Sequence, residues 1–116
     1  MTFPDPVKSL NTPETIGEID NLPDIDYPNI KRAATVLRAL NNKLRQRVIK
    51  TIHENIRLSV TQLYEMLRLE QSLASQHLAI LRNAGIVSTE REGKFIFYSI
   101  SSARIEAINK FVKNLV

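Results

Sequence analysis

From residue 29 onward the apolar positions recur three and four residues apart, the spacing of amphipathic helices. Ile30, Ala33, Ala34 and Leu37 predict a helix over 29–40, which Asn41-Asn42 break. Leu44, Val48, Ile49 and Ile52 predict a second over 43–54, and a short strand is expected at 56–58. Ser59-Val60-Thr61-Gln62 has the spacing of a capping box, with Ser59 as N-cap and Gln62 reaching back. That box opens a helix to residue 67, with Leu63 and Leu67 inward, and Arg68-Leu69-Glu70 forms a tight turn after it. Ala74, Leu78 and Leu81 then fall at i, i+4 and i+7, in a helix opened by Glu70 or Gln71 and closed by Gly85 where a left-handed C-cap is wanted.

After Gly85 the period changes. Residues 86–91 and 95–100 are β-rich runs, joined by Glu92-Gly93-Lys94 as a hairpin turn. Ser101-Ser102 caps a last helix in which Ile105, Ile108, Val112 and Leu115 are spaced 3, 4, 3 with Phe111 beside them, a heptad-like seam. In so small a chain the first and last helices have too little partner surface to bury both stripes within one protomer, so a homodimer built on them is expected. The competing arrangement packs the last helix on its own domain. The fold class is mainly α with a small β-hairpin (α+β).

A short helix, a three-residue turn and a longer helix follow the helix-turn-helix plan. Away from its apolar stripe the longer helix carries Gln71, Ser72, Ser75 and Gln76, with no acid after Glu70. Hydrogen-bonding side chains without carboxylates suit a DNA major groove, although Gln and Ser also occur on helices that touch only water. Arg91 and Lys94 put positive charge near the hairpin tip, where a phosphate would lie. The plain alternative there is a solvated turn.

Composition narrows the choice. At 116 residues the chain holds one small domain and an appendage. Residues 1–28 contain all five prolines, with six acids and one base, a net −5. Residues 29–116 contain 15 bases and six acids, a net +9, which suits a polyanionic partner. The acidic segment reads as a flexible arm, with Thr12-Pro13-Glu14 able to start a short helix to Ile19. A sharper reading has the arm docking on its own dimer or competing with DNA for the basic face. There are no cysteines, which removes disulfides, thiolate metal sites and thiol redox sensing, and only two histidines, His53 and His77. His53, near the end of its helix, is read as a dipole partner rather than a ligand. No run of about 18 apolar residues spans a membrane, and no secretory signal is expected. The expected compartment is the cytoplasm.

Three segments, QSLASQHLAILRNAGIV, REGKFIFYSI and LSVTQLYEML, resemble the recognition helix, the wing and the metal-sensing helix of the ArsR/SmtB family of winged-helix repressors. The resemblance runs over about three-quarters of the chain. It implies a dimeric DNA-binding repressor whose recognition helices enter successive major grooves of double-stranded DNA at an imperfect inverted repeat. By the matched positions Gln71, Ser72, Ser75 and Gln76 lie nearest the bases, with Arg68 in the turn before them, and Arg91 and Lys94 hold the wing on the backbone. His77 matches the family's histidine, with a phosphate contact and a packing role both open. Leu73 stands where the family is usually polar, and it could meet a thymine methyl. The homodimer expected from the two apolar stripes has its interface on Ile30, Ala33, Ala34 and Leu37 of the first helix, with Ile105, Ile108, Phe111, Val112 and Leu115 of the last.

The departures matter as much. Where family metal sensors read Leu-Cys-Val-Cys-Asp-Leu, this chain reads Leu58-Ser59-Val60-Thr61-Gln62-Leu63, and residues 101–116 hold no Asp or His. Hydroxyls are poor ligands for soft metals, so no metal, no cofactor and no metal sensing are expected, and the effector is unknown. No nucleophile–base pair or phosphate-binding glycine loop suggests an enzyme. The alternative function is a winged-helix protein-interaction module that has lost specific DNA binding, with the acidic arm masking the basic face.

Overall fold

The computed structural model describes residues 22–116, within which five helices and three strands follow in the order α1 (Tyr27–Leu40), α2 (Lys43–Glu54), β1 (Arg57–Ser59), α3 (Val60–Leu67), α4 (Gln71–Asn83), β2 (Val87–Glu92), β3 (Phe95–Ile100) and α5 (Ser102–Leu115). The expected short helix up to Ile19 lies outside the described residues. Residues 31–116 form one unit, and residues 22–30 belong to another.

Helix α1 begins two residues earlier than its apolar stripe predicts. Asp26 is the reason: its carboxylate accepts from the Asn29 backbone N–H at 3.2 Å and from the Asn29 side-chain amide at 2.7 Å. Pro28 is tolerated in the first turn, where an N–H has no helical partner to lose. Asn42 caps α2 in the same way, accepting from the Arg45 N–H at 2.9 Å.

The Ser59 capping box forms as the sequence predicts. Ser59 Oγ accepts from the Gln62 N–H at 3.2 Å, and Gln62 Oε1 accepts from the Ser59 N–H at 2.9 Å. The strand before it is displaced by one residue, because Ile56 is not extended. Its φ is +70°, and the Arg57 N–H donates to the Asn55 carbonyl across it at 2.7 Å. This is a γ-turn of the rare, strained hand.

Both ends of the helix-turn-helix close in the same geometry. At the end of α4, the Gly85 N–H donates to Arg82 O and the Ile86 N–H to Leu81 O, both at 2.9 Å, with Gly85 at φ +74°. These are the two bonds of a Schellman motif. At the end of α3, Arg68 takes the left-handed position instead, at φ 54° and ψ 45°, with its N–H on Glu65 O and the Leu69 N–H on Tyr64 O. Ser101 stands at the N-cap of α5, but its side chain makes no capping hydrogen bond, against the sequence expectation.

The sheet is antiparallel in the order β1-β3-β2. Leu58 and Thr89 both lie opposite Tyr98, and Val87 lies opposite Ile100, so one face offers apolar groups to the core. The hairpin closes through Gly93-Lys94, with only Gly93 at positive φ (+60°), which is the type II′ arrangement. Val48 and Ile52 of α2, Leu63 of α3, Leu78 and Leu81 of α4, and Ile86 are fully buried together. Burying each is worth about 1.5–3 kcal/mol, more than any single exposed ion pair provides.

Candidate nucleic-acid interface

Burial divides α4 cleanly. Ala74, His77, Leu78 and Leu81 are buried, whereas Gln71, Ser72, Leu73, Ser75 and Gln76 are exposed. Ser72, Ser75 and Gln76 fall at i, i+3 and i+4 and so share one face, with Gln71 one helical turn before Ser75. That face carries amide and hydroxyl groups and no carboxylate. Arg68 is exposed in the turn that leads into it.

His77 is the exception among the positions matched to DNA contact. It is 9% exposed, and its Nδ1 lies 3.3 Å from Arg45 Nη1. A guanidinium has no acceptor, so Nδ1 must accept and the proton of the neutral ring sits on Nε2. Burial first, and the Arg45 charge second, lower the His77 pKa from its ordinary value. This placement favours the packing role over the phosphate contact. The same guanidinium donates from Nε to Ala39 O at 2.7 Å and from Nη2 to Arg38 O at 3.2 Å.

The wing tip is basic in effect as well as in composition. Arg91 and Lys94 are exposed; Arg91 Nε donates to Gly93 O at 3.1 Å, and Lys94 Nζ lies 5.7 Å from the Phe95 ring centre. Glu92, the acid between them, is taken up by Arg57. The guanidinium makes hydrogen bonds of 3.0 and 2.9 Å to its two carboxylate oxygens while lying 4.2 Å over the Phe97 ring. The pairing holds the Glu92 carboxyl below its usual range and raises the Arg57 pKa. Arg57 escaped the sequence reading because its partner lies 35 residues away; the one legible signal was a base entering the strand that precedes the capping box.

The positions expected at a dimer interface separate into two groups. Ile108 is buried in the protomer's own core, with Leu37, Ile105 and Val112 packed partly against it, and Ala33 and Ala34 are half-buried. Ile30 is 53% exposed, Phe111 48% and Leu115 66%. A groove runs between α1 and α5, lined by Ala33, Val36, Leu37, Ala107, Ile108 and Phe111. The last helix therefore packs one edge on its own domain and turns another outward. Among the described residues no three His, Cys, Asp or Glu side chains gather as a metal-binding group, and no helix is long and apolar enough to cross a membrane.

Helix, left-handed turn, second helix and two-stranded wing define a winged helix-turn-helix protein. The profile of the bacterial regulatory protein, arsR family, matches residues 42–89. The chain is 37% identical over 87 residues to the transcriptional activator HlyU of Vibrio cholerae, which covers 75% of this chain and 80% of that protein. It is 31% identical over 88 residues to the transcriptional repressor PagR of Bacillus anthracis, covering 76% and 88%. The solved structure of reduced HlyU from Vibrio cholerae superposes with a TM-score of 0.58 at 36% identity, over 76% of this chain and 92% of that one. The chain belongs to the arsR family, whose members are DNA-binding transcriptional regulators and not enzymes.

Proposed function

We propose that the protein is a homodimeric, sequence-specific repressor that reads an inverted-repeat operator and needs no metal. The observation that carries this reading is the division of α4, whose exposed face offers Gln71, Ser72, Ser75 and Gln76 and no acid. In a major groove a glutamine can pair bidentately with adenine. Arg68 at the preceding turn and Arg91 and Lys94 at the wing would hold the duplex backbone and fix the register. Leu73, exposed beside them, would meet a thymine methyl. Among the relatives PagR is named a repressor and HlyU an activator. Repression is proposed as the simpler outcome, because a dimer seated on a promoter excludes polymerase. Such a regulator works in the cytoplasm, where the DNA is.

The dimer reading is supported by Phe111 and Leu115, apolar side chains that one protomer leaves in water, and by the adjoining groove along Ala33 and Leu37. Independence of metal is supported by Ser59, whose oxygen is occupied as a helix cap in the segment where family sensors place a thiolate. The test is selection of random duplex DNA by the full-length protein at near-physiological salt, with the mass of the free protein measured by light scattering. An inverted repeat with half-sites about one helical turn apart, bound by a protein of twice the chain mass without added metal, is the expected result. Retention that is only non-specific and salt-labile would overturn it and favour an interaction module.

A further inference from the structure

We infer that Arg45 and His77 are positioning residues that set the spacing between the two half-sites the protein accepts. This inference rests on the dimeric reading above. Three helices meet at one guanidinium. Arg45 belongs to the first turn of α2, where its own N–H is held by the Asn42 cap. Its Nε and Nη2 donate to the carbonyls of Ala39 and Arg38, in the last turn of α1. Those carbonyls belong to the four that every helix leaves without an intrahelical partner. Its Nη1 donates to Nδ1 of His77, on the buried side of α4.

The consequence follows from what the two helices carry. Helix α1 bears Ala33, Ala34 and Leu37, on the proposed dimer face, and α4 bears Ser75 and Gln76 beside His77, on the proposed reading face. In a symmetric dimer the separation of the two reading faces is the interface geometry plus, twice over, the offset of α4 from α1. A guanidinium is planar with its donors in a fixed fork. Three acceptors held by one such fork leave little freedom for the α1–α4 offset, and any slack is doubled by the twofold axis. The sequence separation of 32 residues between the partners means that nothing local enforces the contact.

The experiment uses full-length protein and the inverted repeat obtained by selection, in duplexes whose half-site spacing is changed one base pair at a time, together with a duplex holding a single half-site. In His77→Leu the ring is replaced by a side chain with no acceptor. We expect binding at the preferred spacing to weaken about tenfold, the scale of one lost charge-assisted hydrogen bond. Neighbouring spacings should lose less, so the profile broadens, while single half-site binding stays near wild type. His77→Asn presents an acceptor near the Nδ1 position and should restore the narrow profile. Arg45→Lys keeps the charge but not the fork, and gives the broadened profile even where the leucine variant fails to fold.

A broadened profile in either disrupting variant, narrowed again in His77→Asn, supports the inference. A profile as narrow as wild type in both disrupting variants overturns it, as does equal weakening of half-site and full-site binding, which would mark a local effect on α4. A wild-type protein indifferent to spacing overturns the dimeric reading and this inference together.

Discussion

Arg57 and Glu92 meet through two hydrogen bonds, 3.0 and 2.9 Å long, that tie the strand entering the helix-turn-helix to the tip of the wing. Both side chains are substantially exposed, so the pair adds little to global stability. Its effect is local: it holds the end of β2 and withdraws a negative charge from a basic tip. Glu92→Gln should therefore speed amide hydrogen exchange at Arg91–Phe95 while leaving the thermal midpoint almost unchanged. The folded carboxyl titrates below its usual range. The brace is thus complete at neutral pH and is lost only as the pH falls through that lowered value. Unchanged exchange in the variant would show that the wing does not depend on Arg57.

The proposed base-reading role of α4 and backbone-holding role of the wing separate by substitution. Gln76→Ala is expected to cost about 1–3 kcal/mol against the preferred base at one operator position and to relax preference there. Lys94→Ala should weaken all sequences alike and make the log–log salt slope shallower by about 0.9, the effect of one phosphate contact. Titrations of operator variants at several salt concentrations measure both. A change of base preference in Lys94→Ala would move the wing off the backbone and onto a groove.

The burial of His77 makes stability depend on pH. Its folded pKa lies below the unfolded value of about 6.5, so the unfolded chain takes up a proton first. The contribution is complete above the unfolded pKa and is lost as the pH falls from there through the lower folded value. The thermal midpoint of the wild type should fall more steeply below about pH 6.5 than that of His77→Asn, which has no ring to titrate. Parallel curves would mean that the ring is not held neutral by Arg45 and burial.

Ile56 offers the reverse case, a residue the fold holds at a cost. It is 80% exposed and has φ +70°, a conformation that a β-branched side chain resists. Backbone strain of this kind costs about 1–3 kcal/mol, and glycine recovers it against a somewhat larger loss of chain entropy on folding. Ile56→Gly should raise unfolding free energy by roughly 0.5–1 kcal/mol, read from denaturant midpoints. A lower midpoint would mean that the exposed side chain is packed against something in the assembled protein.

Much of the architecture is carried by short-range signals. The capping box needs only Ser59 and Gln62, three residues apart, and it forms with both reciprocal bonds. Gly85 closes α4 because a left-handed C′ position favours the residue without a Cβ, and Ala74, Leu78 and Leu81 face inward because their spacing matches a helical turn. The same logic placed Gln71, Ser72, Ser75 and Gln76 outside, since one buried stripe leaves the opposite face to water. Where the local signal was mixed the outcome shifted by a residue or two. Asp26 captured the start of α1 ahead of Pro28, and the turn at Ile56 pushed β1 forward.

By itself, then, the sequence determined the helical and strand periods, the caps at Ser59 and Gly85, the basic balance of residues 29–116 and the absence of any thiolate ligand. Those depend on residues within a turn or two of one another, or on composition. Only the tertiary structure decided that His77 turns inward to Arg45, that Arg57 reaches Glu92, and that Ile108 stays in its own core while Phe111 and Leu115 face outward. Each of these joins residues 32 or more positions apart, or divides one helix between the core and the surface. Hydrophobic spacing fixes which stripe is buried, but the partner across it exists only once the other elements have packed.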